Sequence, residues 1–166
     1  MRDRRVDPSA NNNYAIRFAT ENGYLKIIEL LLKDKRIKLV NWYNYTIKWI
    51  SCNYHLKVIK LLIKNNIIDL NNNYNIILQI ATKIGHLQII KYIFEQNTLI
   101  IDLSIDNNKA IKIASSEGHL EIVEYLLDNI VSKINFIDNN EAVNNAFRNG
   151  HLKTIKYLLK RFYSDK

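Results

Sequence analysis

The chain has 166 residues, 48% hydrophobic and 24% charged, a globular composition long enough to bury a core. Four glycines and one proline exclude a β-rich fold full of tight turns, the single cysteine excludes an intrachain disulfide, and no apolar run approaches the roughly 18 residues of a membrane span. The net charge of +8 permits nucleic acid or an acidic partner without requiring either. The opening MRDRRVDPSA has no apolar stretch of the kind a secretory signal needs, so a soluble protein of a reducing, cytoplasmic compartment is expected.

Taken in chain order, one pattern recurs five times at a period near 32 residues. A short apolar run comes first: Ala15-Ile16-x-Phe18-Ala19, then Ile47-x-Trp49-Ile50, Leu78-x-Ile80-Ala81, Ile111-x-Ile113-Ala114 and Val143-x-x-Ala146. A tripeptide follows each run: Gly23-Tyr24-Leu25, Tyr54-His55-Leu56, Gly85-His86-Leu87, Gly118-His119-Leu120 and Gly150-His151-Leu152. After it comes a longer apolar run such as Leu120-x-Ile122-Val123-x-Tyr125-Leu126-Leu127. The i, i+3, i+4 spacing predicts a one-sided helix on each side of the tripeptide. The glycine suits a left-handed helix terminus, which Tyr54 in the second unit fills only under strain. One such hairpin cannot hide its own apolar face, so the units must stack.

Between units, Ile37-Lys38-Leu39, Ile68-Asp69-Leu70, Ile101-Asp102-Leu103 and Ser132-Lys133-Ile134 predict extended, hairpin-like links followed by Asn-rich turns. The overuse of Asn, Ile, Lys and Tyr reads as the composition of an AT-rich genome. In the fifth unit Asn145 replaces the apolar Phe18/Trp49/Ile80/Ile113 position, and Thr154 replaces Ile27/Val58/Ile89/Ile122. These substitutions predict a solvent-facing C-terminal cap. The N-terminal side has no such substitutions, and Val6-Asp7-Pro8-Ser9 aligns with Ile68-Asp69-Leu70-Asn71, as though the array begins inside a link.

Ser116-Glu117-Gly118-His119-Leu120-Glu121-Ile122-Val123-Glu124-Tyr125-Leu126-Leu127 resembles the second-helix signature of ankyrin repeats, and Ile68-Asp69-Leu70-Asn71 resembles the family's Ala-Asp-Val-Asn run. The family's Thr-Pro-Leu-His opening is absent: Lys109-Ala110-Ile111-Lys112 stands in that slot of the fourth unit. The links are shorter than the family norm, which is similar to the short-hairpin ankyrin arrays of giant DNA viruses. The resemblance implies an all-α ankyrin-repeat solenoid in a single domain over 1–166, with repeats at 10–40, 41–71, 72–104, 105–136 and 137–166. It implies a protein–protein interaction scaffold that binds a partner through its concave face. If viral, the chain would act in the host cytoplasm on a host protein.

No catalytic, cofactor or metal site is expected. His55, His86, His119 and His151 share one repeat position. Stacked helices place equivalent side chains about 8–10 Å apart, too far for zinc ligands that must each lie about 2 Å from one ion. Cys52 has no repeated base beside it, and Glu121 and Glu124 read as a solvated helix face. A basic nucleic-acid-binding module is the alternative, but Lys and Arg are interspersed with Asp and Glu rather than gathered on one face. The expected partner site joins Trp42, Tyr43 and Asn44 of the second link, Tyr74 of the third, and the first-helix ends at Asn53 and Lys83. Aromatic side chains in an otherwise polar link lack a core explanation and are enriched at interface hot spots. Trp49 falls on an apolar position and is assigned to the core. A monomer without membrane association is expected.

Overall fold

The computed structural model describes residues 7–37, 39, 56–96, 108–129 and 136–163. They form α1 (Ala10–Glu21), α2 (Leu25–Leu32), α3 (Leu56–Lys64), α4 (Leu70–Lys83), α5 (Leu87–Gln96), α6 (Lys109–Glu117), α7 (Leu120–Asp128), α8 (Phe136–Arg148) and α9 (Leu152–Tyr163), with no strand among the described residues. The expected helix pair appears as α1/α2, α4/α5, α6/α7 and α8/α9. Helix α3 is the second member of the second repeat. That repeat's expected first helix, with Trp49, Cys52, Tyr54 and His55, lies outside the described residues.

Contacts divide the chain into two compact units, Met1–Asn73 and Tyr74–Lys166. In the first, α2 packs on α1 and α3, burying Ile16, Ala19, Ile28, Val58, Ile59 and Leu62. In the second, α6 packs on α7 and α8, and α9 packs on α7 and α8. Its core runs through Ile77, Ile90, Ile93, Ile111, Val123, Leu126 and Leu158, all at most 2% exposed. Each buried aliphatic side chain contributes about 1.5–3 kcal/mol, so the repeated apolar stripe supplies the driving force for stacking.

Glycine closes each described pair. Gly23, Gly85, Gly118 and Gly150 adopt φ of 72–77°, the left-handed conformation. The amide of the next residue then donates back five positions: Tyr24 to Ala19 at 2.8 Å, His86 to Ala81 at 2.7 Å, His119 to Ala114 and His151 to Ala146 at 2.9 Å. This is the Schellman closure that satisfies carbonyls a helix end leaves open.

Asparagine does the same work elsewhere. Every described non-glycine residue with positive φ is an asparagine: Asn11, Asn12, Asn13, Asn66 and Asn108. Four asparagine side chains donate to the carbonyl four residues back: Asn22 to Phe18, Asn65 to Leu61, Asn129 to Tyr125 and Asn149 to Asn145, at 2.7–3.0 Å. Asparagine is therefore not only a mark of genome composition; it ends helices and turns the chain.

Two expectations are corrected. The Ile68-Asp69-Leu70 link is not extended. Asn66 at φ 55° reverses the chain directly after α3, and Leu70 already opens α4. The links at 101–103 and 132–134 lie outside the described residues. The polar positions of the fifth repeat also do not face solvent: Thr154 is 1% exposed, whereas its counterpart Ile27 in the first repeat is 47% exposed. These positions face the preceding repeat, so they are covered in the fifth and open in the first. The exposed end of the fifth repeat is apolar instead, formed by Phe147, Leu152 and Leu159.

Candidate partner-binding site

The histidine position is a joint between repeats. His119 lies at the centre of an inverse γ-turn (φ −80°, ψ 74°) that directs its ring back along the stack. Its Nε2 lies 3.2 Å from the Lys83 carbonyl, which accepts its proton. The His151 Nε2 lies 2.9 Å from the Ser116 carbonyl in the same way. Each ring covers the glycine of the preceding repeat. A Cβ on Gly85 would stand 2.7 Å from His119 Cε1, and one on Gly118 would stand 2.6 Å from His151 Cε1. The glycine thus has two reasons to be glycine, its backbone conformation and the ring above it. Among the described residues no group of three or more His, Cys, Asp or Glu side chains could hold a metal ion.

The joints carry further pairs. Tyr125 meets Phe94 edge-on at 5.5 Å between centroids, with the Lys91 ammonium 5.5 Å from the same ring. Lys112 pairs with Glu141 at 2.6 Å between α6 and α8, and Arg161 pairs with Asp128 at 3.1 Å between α9 and α7. Tyr92, Tyr125 and Tyr157 occupy one repeat position, and burial pushes all three phenols above their ordinary range, with neighbouring acidic groups adding to the shift.

Of the six residues expected at the partner site, Trp42, Tyr43, Asn44 and Asn53 lie outside the described residues. Tyr74 and Lys83 stand nine residues apart in α4, which is two and a half turns or about 13 Å, so they fall on opposite sides of the helix. The structure does not bring these two together. Lys83 is exposed and Tyr74 half-buried. The residue that shares Lys83's side, two turns back, is Ile76, 38% exposed. Sequence reasoning missed it.

Some repeat equivalents of two expected site residues serve the backbone. Asn13 and Asn108, at the repeat position of Asn44, are buried and left-handed, whereas Asn75 and Asn140 at the same position lie within helices, half-buried and exposed. Asn22 and Asn149, at the position of Asn53, cap first helices. By contrast, the position of Ile76 is exposed in every described first helix and differs each time: Tyr14, Ile76, Lys109, Glu141. Constant residues build the joints while this position varies in chemistry, and that variation was visible in the sequence.

Helix pairs closed by left-handed glycine, with a histidine-to-carbonyl bond at two joints, define a helical-repeat protein. A family model of ankyrin repeats (3 copies) matches residues 16–105, 47–140 and 98–166. The chain belongs to the ankyrin-repeat family, whose members are generally protein-interaction modules rather than catalysts. A comparison with curated proteins finds no match. No helix among the described residues is long and apolar enough to cross a membrane.

Proposed function

We propose that the chain is a scaffold that recognises a protein partner through the exposed sides of its first helices and the links before them, and that it carries out no catalysis. The observation that carries this reading is the division of labour within each repeat. Glycine, alanine, histidine and the aliphatic stripe are committed to joints, while Ile76 and Lys109 present an apolar and a basic side chain from one repeat position, at which Glu141 is exposed but also pairs with Lys112 across a joint. An array of unlike side chains on like supports suits recognition of one partner surface. Trp42 and Tyr43, aromatic where other links are polar, are proposed hot spots of that contact, and Lys83 its basic edge. Asn44, Asn53 and Tyr74 are proposed to flank it. A monomeric chain with an intracellular partner, and a viral source with a host partner, are proposals resting on the short links and the Asn- and Ile-rich composition. Affinity capture from cell lysate, with the Lys83→Glu variant as comparison, tests the reading. A partner band that weakens with the variant supports it, and identical bands argue against it.

One observation favours a second reading. Lys153, Lys156 and Lys160 are exposed at i, i+3, i+7 on α9, a basic stripe suited to phosphates. The acidic Glu121 and Asp128 are exposed on α7, against which α9 packs, and temper it. Retention on heparin that falls steeply with salt would favour nucleic acid over protein.

A further inference from the structure

We infer that the partner docks with an acidic protein segment that combines carboxylates with aliphatic side chains, and that this segment lies across the first helices of the second unit, α4, α6 and α8. The inference rests on the scaffold reading above and gives that reading a chemistry.

The bonds from His119 to Lys83 and from His151 to Ser116 hold the turn ends of α4, α6 and α8 side by side. All three helices belong to one compact unit. In each of them, two positions seven residues apart share a side, about 10 Å along the axis. These are Ile76 and Lys83 in α4, Lys109 and Ser116 in α6, and Glu141 and Arg148 in α8, all exposed except half-buried Ser116. Between each pair stands a half-buried side chain: Ile80, Ile113 and Asn145. Packed helices are about 8–10 Å apart, so the three rows make one surface that a single segment can span.

The charge on that surface is one-sided. Its described side chains include Lys83, Lys109, Lys112 and Arg148 against Glu117 and Glu141. Glu141 is already held 2.6 Å from nearly buried Lys112. Among the described residues Lys83, Lys109 and Arg148 enter no ion pair. Glu117 holds the repeat position from which Asn149 reaches back to Ser116 at 3.2 Å, so it stands on the Lys83 side and reduces the charge there. Lys109 and Arg148 are left as the strongest uncommitted cations.

Uncommitted cations set around isoleucines are complementary to carboxylates carried among apolar side chains. A nucleic-acid backbone fits less well, because its charges are closely and evenly spaced. The cations here stand on separate helices, with isoleucine among them and a carboxylate fixed at Glu141. That carboxylate has a further part. Glu141 holds Lys112 as a partner carboxylate would, so it competes with the partner for the nearly buried ammonium.

Panning random peptides displayed on phage against the full chain tests the inference. Enriched peptides should combine Asp or Glu with Leu, Ile or Val, and a synthetic peptide of the consensus should bind more weakly as salt rises. Lys109→Gln and Arg148→Gln, both at exposed positions, should each weaken that peptide about fivefold with the melting temperature unchanged. Ile76→Ser should weaken it as well, and Glu141→Gln, which removes the competing carboxylate, should tighten it. A neutral or basic consensus overturns the inference, as does the absence of any enrichment. So does an acidic peptide that binds the Lys109→Gln and Arg148→Gln variants as tightly as the wild type, and single-stranded DNA that displaces the peptide at equal charge would assign the surface to phosphates instead. A partner captured from lysate that depends on Lys83 yet is not displaced by the acidic peptide would sink this inference and leave the scaffold reading standing.

Discussion

The imidazole of His151 sits over Gly118, its Nε2 held 2.9 Å from the carbonyl of Ser116 two residues earlier. At two described joints the glycine and the histidine of the recurring tripeptide are thus partners across repeats: Gly85 carries the ring of His119 and Gly118 that of His151.

Replacing that glycine tests both parts of the relationship. Gly150→Ala should cost about 1–2 kcal/mol, the strain of a left-handed alanine with open space around it. Gly118→Ala, with the same φ strain, also drives a methyl group into the His151 ring and should cost about 3 kcal/mol or more. Urea unfolding separates the two. Equal losses would mean the ring contact is soft.

The direction in which each repeat faces gives a second comparison. Ile122→Asp buries a carboxylate without a partner and should cost about 4 kcal/mol or more, whereas Ile27→Asp at the equivalent position should stay within about 0.5 kcal/mol. Thermal unfolding of the pair checks it. A large loss at Ile27 would mean the first-repeat face is covered.

How far this was legible beforehand follows from the same positions. The helix pairs, their glycine closures and the structural use of histidine follow from period and spacing, because backbone geometry and apolar burial act locally and repeat. The polarity of the stack did not follow. Thr154 and Asn145 looked like a solvent cap, because a polar residue in an apolar column signals exposure only when the facing direction is known. Asn44 of the link and Asn53 at a first-helix end lie outside the described residues; among asparagines at their repeat positions Asn13 and Asn108 are left-handed, Asn22 and Asn149 cap helices and Asn140 is exposed, uses that look identical in sequence. Tyr74 and Lys83 seemed adjacent only while the start of α4 was placed too late.

The tyrosine column predicts alkaline sensitivity. The Tyr92, Tyr125 and Tyr157 phenols are raised above the ordinary value of 10.0, first by burial. A group whose folded value is raised contributes stability that is intact below its unfolded value and lost as pH climbs through the folded one. The melting temperature should therefore fall above about pH 10. The triple Tyr→Phe variant should show a smaller fall, and an unchanged pH profile would contradict the burial.

The two inter-repeat ion pairs should differ in weight. Lys112 is nearly buried beside an exposed Glu141, so Glu141→Gln should cost about 1–2 kcal/mol. Both partners of Arg161–Asp128 are exposed, so Arg161→Gln should cost about 0.5 kcal/mol or less and vanish at high salt. Denaturant midpoints at low and high salt decide it.

The central claim is that joint residues hold the array while the variable first-helix and link residues meet a protein partner. Its most direct test is calorimetric titration of the captured partner against Trp42→Ala and Lys83→Glu, with melting temperatures measured alongside. The account predicts that Trp42→Ala weakens binding by about 2 kcal/mol or more and Lys83→Glu by about 1 kcal/mol, while both variants melt within a few degrees of the wild type. Unchanged affinity in both variants, or affinity lost only in step with melting, would contradict it.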